Sequence, residues 1–212
     1  MNESHYNEAY FQWQHKAGEF GGKADLFKFK GHVKPDSDIL EFGCGGGYLL
    51  KNISTSGKKI GIEINPSARE IAEENGIVCF SDIKKIENNS IDIIISNHAL
   101  EHVENPIIII AEFKRVLRKN GKIVLAVPHE VSGKVKKKDI NMHLYTWSPQ
   151  NLYNLMTVCG IEMVSCKRLC HAWMPYYITI QRITGWNIFH KSCRLYARIT
   201  KKYQTVAIGI IK

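Results

Sequence analysis

The order of short apolar runs along the chain constrains the fold more than any other feature. Five runs, separated by segments with the composition of helices, predict strands at 38–42, 58–64, 77–80, 91–96 and 122–128. Two further runs, at 161–169 and 204–212, predict a sixth and a seventh strand. Strands that alternate with helices join in parallel through crossover connections. The sequence therefore predicts an α/β fold with a mostly parallel sheet and helices on both faces.

Proline, asparagine and glycine mark where two of the helices begin and end. Pro66 stands at the start of one helical segment and Gly76 closes it, which are the usual positions of these residues at helix termini. Asn105 and Pro106 predict the cap and the first residue of the helix that follows the fourth strand. Gly121 is expected just beyond the end of that helix.

The net charge of +9 is confined to one part of the sequence. Residues 1–162 hold 20 Lys or Arg against 20 Asp or Glu, whereas residues 163–212 hold 9 basic residues and no acid. The basic character therefore indicates a local contact rather than a charge spread over the whole surface.

Composition and cysteine usage predict a globular protein that is made and kept in the cytoplasm. The chain has 212 residues, 44% hydrophobic and 23% charged, which is ordinary for one folded domain. Its six cysteines form no C-x-x-C pair, so we expect reduced thiols rather than disulfides or metal ligands. The amino-terminal residues lack a signal-peptide pattern, and no apolar run reaches the length of a membrane span.

A glycine-rich turn, 41–47 (EFGCGGG), separates the first predicted strand from its helix. Glycines there allow positive φ angles and let a ligand approach backbone amides at a helix N-terminus. A dinucleotide site, G-x-G-x-x-G, needs a small third residue, but Tyr48 occupies that position. An NAD-dependent Rossmann oxidoreductase is therefore the weaker alternative. A Walker phosphate loop needs G-K-[ST] after its glycines, and Gly47 is followed by Tyr and Leu.

The remaining pattern, acid-x-Gly-x-Gly-x-Gly, resembles the class I S-adenosylmethionine (SAM) dependent methyltransferases. The resemblance extends over residues 36–169, with the motifs in the family's order. It implies a Rossmann-like seven-stranded sheet whose last strand is antiparallel, and SAM as the cofactor. The whole sequence, including EFGG at 19–22, is similar to small bacterial methyltransferases linked to cell-surface glycan or lipid-linked precursor synthesis.

Each part of the family's cofactor site has a counterpart in this sequence. The acid that opens the glycine turn is associated in the family with the methionine ammonium, and Glu41 matches it. An acid at the end of the second strand binds both ribose hydroxyls, and Glu63 matches it. An Asp after the third strand contacts the adenine amine, and Asp82 matches it. The resemblance implies that SAM contacts Glu41, Gly43, Gly45, Gly47, Glu63, Ile64, Asp82, Ile83, Asn97 and His98.

His98, Glu101 and His102 have the spacing H-x-x-E-H, which also marks one class of zinc peptidase. Such an enzyme needs the motif within a long helix, together with a third ligand. Here a predicted strand precedes the motif, and Pro106 follows within four residues. The family that the chain resembles often has an H-x-L-E-H run at this point, where it lines the methyl-donor site without metal. The sequence therefore predicts no metal site.

Three histidines are candidates for a catalytic base. A base assists methyl transfer only if the acceptor is a hydroxyl or a protonated amine, and histidine suits this role near neutral pH. His98, His129 and His143 fall where loops at strand ends should converge. Each also fits a hydrogen-bonded structural histidine, His143 in particular because its H-L-x-x-W-[ST]-P run caps a helix in similar proteins. His102 is expected to be structural.

The resemblance does not fix the acceptor, because acceptor residues differ among family members. No N-P-P-Y follows the fourth strand, as in DNA enzymes that methylate amino groups, and no Pro-Cys pair supplies a cytosine-C5 nucleophile. A nucleic-acid substrate is therefore not expected. The expected acceptor is a small molecule that receives the methyl group on oxygen or nitrogen.

The sequence predicts an amino-terminal cap and an insertion around the SAM-binding core. Tyr6, Tyr10 and Trp13 of the cap would close the pocket or pack the cap onto the core. The predicted parts are a helical cap 1–35, the core 36–170, a basic aromatic helical insertion 171–203 and the final strand 204–212.

The insertion 171–203 stands where the family usually has a short hairpin connection. From Ile178 onward it has the pattern of a helix with two different sides. The apolar side carries Ile180, Ile183, Ile188, Leu195 and Ile199. The basic side carries Arg182, Lys191, Arg194, Arg198, Lys201 and Lys202.

Three roles fit this insertion, and we expect it to form a lid over the acceptor side of the pocket. It would contact an anionic membrane through its basic groups, with Trp173, Trp186 and the tyrosines as anchors. Alternatively, two or three of its cations would hold a phosphate-bearing or lipid-linked acceptor. As a third alternative, it is a lid or dimer helix whose charges are only solvated. A non-catalytic, membrane-associated SAM-binding protein is a further alternative for the whole chain.

Overall fold

A computed structural model describes residues 17–131, 137 and 141–212; the cap residues Tyr6, Tyr10 and Trp13 lie outside these ranges. Its sheet has seven strands in the order β3-β2-β1-β4-β5-β7-β6. The strands are β1 Ile39–Phe42, β2 Lys59–Ile62, β3 Val78–Phe80, β4 Ile91–Asn97, β5 Leu117–His129, β6 Glu162–Leu169 and β7 Tyr203–Ile210. β1 to β5 pair in parallel, and β7 is antiparallel to β5 and β6. The predicted fold class is confirmed, including the antiparallel last strand.

Helices connect the strands at the predicted places. They are α1 in its described part 17–24, α2 Tyr48–Asn52, α3 Pro66–Glu74, α4 Pro106–Val116, α5 Pro149–Val158 and α6 Tyr177–Thr200. Asn105 caps α4, because its side-chain oxygen accepts a hydrogen bond from the amide of Ile108 at 3.3 Å. None of the helices in the described ranges is both long and apolar enough to cross a membrane.

The expected position of Gly121 is wrong. α4 already ends at Val116, and β5 begins at the next residue, so Gly121 lies inside this strand. The pairing register between β4 and β5 shifts in this stretch. A Cβ atom on Gly121 would lie 2.7 Å from the carbonyl oxygen of Arg118. The glycine therefore permits an irregularity within a strand rather than the end of a helix.

Each face of the sheet has its own apolar core. On one face, Phe42 of β1 belongs to the same cluster as Phe113 of α4. On the other, Ile39 of β1 packs with Leu50 of α2 and Ala72 of α3. Successive residues of a strand point to opposite faces, so a nearly continuous apolar strand serves both cores.

α1 and α6 pack together through a third cluster. Ala24 of α1 and Phe189 and Cys193 of α6 are fully buried there. The ring of Phe20 lies 5.5 Å from the ring of Phe189 in an edge-to-face arrangement. Gly185 has non-helical angles, φ 70° and ψ 174°, and divides α6 into two helical parts. The predicted helix before the last strand is therefore present, with a kink at this glycine.

We expect Phe113→Ala to lower the free energy of unfolding by about 3–5 kcal/mol, because it leaves a cavity in the larger core. The Phe113 ring is fully buried and lies 5.3 Å from the ring of Phe42. Denaturation in urea measures the loss. Ile107→Ala, on the same helix at a side chain that is 53% exposed, is the control and should change stability by no more than about 0.5 kcal/mol. Equal losses in the two variants would contradict the assignment of these helix faces.

Candidate functional site

A cavity of about 900 Å³ opens at the carboxyl edge of the sheet. Beside the glycine turn after β1, its wall includes Glu63 and Ile64 after β2, Asp82 after β3, and Asn97 and His98 around the end of β4. β1 has β2 on one side and β4 on the other, so the connections that follow β1 and β4 diverge. A crevice forms where the strand order reverses in this way, and ligands bind there in open α/β sheets.

The glycine turn has three residues with positive φ: Gly43 (73°), Gly45 (53°) and Gly47 (72°). A Cβ atom on Gly43 would collide with the Cβ of Ala99, whereas one on Gly45 would meet no atom within 4 Å. Gly45 lines the cavity, but Gly47 does not. A Cβ on Gly47 would lie 2.8 Å from the side chain of Ile77. The expected ligand contact of Gly47 is therefore not supported, because this glycine serves backbone conformation and packing.

Backbone amides hold both oxygens of the Glu63 carboxylate. One oxygen accepts a hydrogen bond from the amide of Gly45 at 3.0 Å, and the other accepts one from the amide of Asn65 at 2.9 Å. The Arg69 guanidinium donates to the carbonyl oxygens of Glu63 and Ile64, both at 2.8 Å. Burial raises the pKa of Glu63, although these amides oppose the rise. The strand end is thus fixed with a carboxylate at the cavity wall.

Glu41 is a buried acid on the same wall, only 3% exposed. Its Oε2 atom has no hydrogen-bond partner within the described residues. Burial raises the pKa of Glu41 well above its ordinary value, against a hydrogen bond from the backbone of Leu50. A cationic group bound beside this carboxyl would favour its ionised form.

Asp82 has both a local role and a place at the cavity. Its Oδ1 accepts a hydrogen bond from the amide of Lys84 at 2.9 Å and caps the short 3₁₀ helix Ile83–Lys85. Ile83 is 3% exposed and packs in the larger core. Both residues line the cavity, as expected. The turn-forming role of Asp82 is therefore compatible with contact to a ligand.

A buried charged network lies at the end of β4 and was not predicted from the sequence. Lys28 Nζ lies 3.2 Å from Asp25 Oδ1 and donates to Asn97 Oδ1 at 3.1 Å. The Asn97 amide donates to Asp25 Oδ2 at 3.0 Å. Burial alone would raise the pKa of Asp25, but Lys28 and Asn97 outweigh it and hold this pKa below its ordinary value. Only the i,i+3 spacing of Asp25 and Lys28 signals this pair in the sequence.

His98 is the only one of the three candidate histidines on the cavity wall. It adopts a positive φ of 57°, which is uncommon for a residue other than glycine. Its Nδ1 atom lies 3.3 Å from Oε1 of Glu101, a fully buried carboxylate. Neither carboxylate oxygen of Glu101 has a hydrogen-bond partner within the described ranges. His102, expected to be structural, also lines the cavity.

The other two candidates lie away from the wall. His143 Nε2 is 3.9 Å from Oε1 of Glu101, and its Nδ1 is 3.4 Å from Oε1 of Glu130. His129 ends β5 with its ring 6.1 Å from the ring of Tyr203, and burial lowers the pKa of His129. Neither residue lines the cavity. The expectation that His129 or His143 acts as a base there is therefore corrected by their positions.

The histidine motif does not have the setting of a zinc peptidase. It runs from the end of β4 into a single 3₁₀ turn, Leu100–His102, rather than along a long helix. Glu101, His102 and His143 each offer one ligand atom, all within 4.8 Å of one another, a spacing that a divalent ion could use. The expectation that the protein needs no metal stays a prediction.

α1 covers one side of the cavity at close range. A Cβ on Gly22 would collide with the backbone of Tyr48, and one on Gly18 would collide with its ring. Trp173, and Tyr177 at the start of α6, complete this side of the wall. The glycines of α1, some of which belong to the EFGG run, are therefore the sequence signal for close packing onto the site.

Comparisons with known proteins agree with this geometry. Residues 40–125 match a family model described as a methyltransferase domain. An uncharacterized protein of Methanocaldococcus jannaschii is 32% identical over 125 residues, covering 58% of this chain and 58% of that protein. A ubiquinone biosynthesis O-methyltransferase of Rickettsia bellii is 28% identical over 196 residues, covering 75% of this chain and 80% of that protein.

A solved structure from Thermotoga maritima gives the fold. It is described as a SAM-dependent methyltransferase and possible histamine N-methyltransferase, and it aligns with a TM-score of 0.63 and 21% identity, covering 77% of this chain and 81% of that chain. The shared fold is the Rossmann-like seven-stranded sheet with helices on both faces. The chain spans between 31% and 58% of the length of the first curated relatives it matches.

SAM is the cofactor that the methyltransferase domain and the structural neighbours support. The wall of the cavity fits this cofactor on three observations. Gly45 leaves open space where a side chain would project, Glu41 has an unpartnered buried oxygen, and the Glu63 carboxylate is held at the end of β2. SAM needs open backbone where it approaches the turn. It also needs one acid for its ammonium group and another for its ribose hydroxyls.

We expect Glu63→Ala to weaken SAM binding by about 1.5–3 kcal/mol, because a charge-assisted hydrogen bond is lost. Calorimetric titration measures the change. Glu63→Gln removes the charge but keeps the size of the side chain and one acceptor oxygen, so only one of the Gly45 and Asn65 amides loses its partner. Glu70→Ala, at an exposed position of α3, is the control and should bind SAM normally. Clear binding of NAD with no heat from SAM would contradict the assignment of the cofactor.

We expect Asp25→Asn to lower the free energy of unfolding by about 3–5 kcal/mol, because it leaves the Lys28 ammonium buried without its counter-charge. The Lys28 side chain is 0% exposed. Chemical denaturation measures the loss. The double variant Asp25→Asn with Lys28→Met removes both charges and should recover most of the stability. If single and double variants lost the same amount, the ion pair would not be the cause.

Proposed function

We propose that the protein is a methyltransferase that moves a methyl group from SAM to an oxygen or nitrogen of a small acceptor. The acceptor is proposed to be anionic or related to lipids or glycans. The protein is proposed to work in the cytoplasm, peripheral to the inner face of a membrane. The observation that supports the proposal most is the order of functional groups around one cavity: Glu41, Glu63 and Asp82 at the ends of β1, β2 and β3, with His98 after β4.

In this proposal the three acids bind the three parts of the cofactor. Glu41 would pair with the methionine ammonium, Glu63 with the ribose hydroxyls, and Asp82 with the adenine amine. When bound, SAM supplies an electrophilic methyl group on its sulfonium. The protein then has to position the acceptor in line with that methyl group and exclude water.

His98 is the proposed general base. A ring nitrogen of His98 would take the proton of an acceptor hydroxyl as the oxygen–methyl bond forms and the sulfur–methyl bond breaks, leaving the demethylated cofactor. An acceptor ammonium would lose its proton to His98 first, because only the neutral amine has a lone pair for the methyl carbon. Glu101 is the proposed positioning residue, because its buried carboxylate lies 3.3 Å from His98 Nδ1. A carboxylate there would fix the imidazole tautomer and stabilise the imidazolium. The amide of His98 donates to the carbonyl of Ala126 at 2.8 Å, which holds its positive-φ backbone at the strand end.

The charges of the cavity wall limit where an anionic group of the acceptor can lie. Among the described residues that line the cavity there is no Lys or Arg, and the carboxyl groups there are Asp25, Glu41, Glu63 and Asp82. An anionic group of the acceptor is therefore proposed to stay outside the cavity while the reacting end enters. Residues 171–203 are proposed as the lid on the acceptor side, and the presence of Trp173 and Tyr177 on the wall supports this.

A methyl-transfer screen with radiolabelled SAM tests the proposed function. Sugar nucleotides, lipid-linked precursors and phenolics are the acceptor classes to compare. Transfer to a member of one class would identify the acceptor, and tight SAM binding with no transfer to any acceptor would favour a non-catalytic SAM-binding protein. Turnover in the presence of a chelator would agree with the expectation that no metal is needed.

We expect His98→Ala to lower kcat on the identified acceptor by about 100-fold or more, because general-base assistance is lost. Its affinity for SAM should stay within a few-fold of wild type. Glu101→Gln should lower kcat while the affinity for SAM stays within a few-fold of wild type, since it replaces the carboxylate beside His98 without changing the shape of the side chain. His129→Ala, at a position away from the cavity, is the control and should turn over normally. Unchanged turnover in His98→Ala would mean that positioning alone suffices.

A further inference from the structure

α6 carries an exposed apolar stripe. Ile188, Leu195 and Ile199 are 53%, 60% and 73% exposed. Their spacing of seven and four residues places them on one side of the helix. Phe189 and Cys193 are fully buried on another side, where α6 packs against α1. The stripe therefore points away from the core, and within the described residues it is left to solvent.

Exposed cations accompany this stripe along the helix. Lys191, Arg194 and Arg198 are all exposed. Residues 163–212 contain no acid, so no carboxylate in this part of the sequence balances them. A surface that combines aliphatic side chains with unbalanced cations is complementary to an anionic lipid interface. The aliphatic groups enter the acyl boundary, and the cations meet the headgroups.

We infer that the α6 face, defined as Ile188, Lys191, Arg194, Leu195, Arg198 and Ile199, docks on an anionic lipid surface. The inference gives a physical basis for the membrane location in the proposed function, and its link to catalysis rests on that function. The part of α6 after the kink at Gly185 bears the α6 face, and the part before the kink borders the site, because Tyr177 lines the cavity. Docking would therefore hold the acceptor side of the cavity close to lipid-linked molecules.

A second copy of the chain fits the α6 face less well than lipid does. A symmetric pair of copies would bring Lys191, Arg194 and Arg198 against the same cations of the partner copy, and like charges in contact are unfavourable. Direct binding of a phosphate acceptor inside the cavity also fits less well, because none of these three side chains lines it.

The two tryptophans expected as membrane anchors are partly buried. The rings of Trp173 and Trp186 lie 5.4 and 5.5 Å from the ring of Phe20, within the cluster between α1 and α6. Tyr176, one of the tyrosines expected as anchors, stands just before α6 and is 83% exposed. Lipid contact in this inference relies on the aliphatic stripe and the cations, with Tyr176 as an exposed aromatic side chain beside them.

Co-sedimentation of the full-length protein with vesicles tests the α6 face. Wild type should pellet with vesicles of phosphatidylcholine and phosphatidylglycerol, should stay in solution with phosphatidylcholine alone, and should be released by salt. The triple variant Lys191→Gln, Arg194→Gln, Arg198→Gln should partition about 100-fold more weakly, at about a factor of five per cation. The triple variant Ile188→Ser, Leu195→Ser, Ile199→Ser should also lose binding.

Matched variants control for charge and for exposed apolar surface. Lys34→Gln, Lys58→Gln and Lys119→Gln together remove three exposed charges that lie outside α6, and Val158→Ser alters an apolar side chain that is 80% exposed on α5. Both controls should bind vesicles like wild type. Thermal unfolding and SAM titration show that each variant is folded.

Failure of wild type to pellet with anionic vesicles, or equal binding by the α6 and control variants, would overturn the inference. A dimer in solution that the serine variant abolishes would show that a second copy occupies the α6 face instead. These outcomes are distinct from failure of the proposed function. A protein that binds vesicles but neither SAM nor any acceptor would contradict the function, whereas one that transfers methyl groups without binding vesicles would contradict the α6 face.

Discussion

The close contact between the turn after β1 and the segment after β4 is the constraint on which the site depends. Gly43 directly follows β1 with a positive φ, and a Cβ there would collide with Ala99. Because β1 and β4 are parallel neighbours, their carboxyl ends meet at one edge, and only a glycine lets the two connections approach so closely. That approach places Glu41 and His98 in the wall of a single cavity.

The charges of this protein are divided between the cavity and its surroundings. The net charge of +9 belongs to the last fifty residues, while the described wall of the cavity has carboxyl groups and no Lys or Arg. Two of these acids have fixed partners in the protein. Backbone amides donate hydrogen bonds to Glu63, and Lys28 forms an ion pair with Asp25. This division fits a cationic cofactor inside and an anionic contact outside. The net charge of the whole chain does not distinguish the acidic cavity from the basic outer surface.

Much of the fold follows from local sequence, because its determinants act over a few residues. Apolar runs of strand length, the Asn105 cap and the glycine turn act through hydrogen bonds and φ angles within their own segments. The positions of Glu41, Glu63 and Asp82 at or just after the ends of three strands likewise predicted that they lie at one edge of the sheet. The carboxyl ends of parallel strands all lie at that edge. Gly121 was misplaced because a glycine beyond a helix and one in a bulged strand look alike in sequence. The division of the chain into cap, core and insertion remains a proposal.

The sequence by itself therefore determined the order of the strands along the chain, the glycine turn and the set of acids at the strand ends. Only the tertiary structure decided which histidine reaches the cavity, since His98, His129 and His143 all follow plausible strand ends but differ in the direction in which each side chain packs. It also decided the Asp25–Lys28–Asn97 network, which joins residues about seventy positions apart, and the packing of Trp173 and Trp186 against Phe20. Contacts between distant segments depend on the packing of whole elements, and no short stretch of sequence encodes that packing.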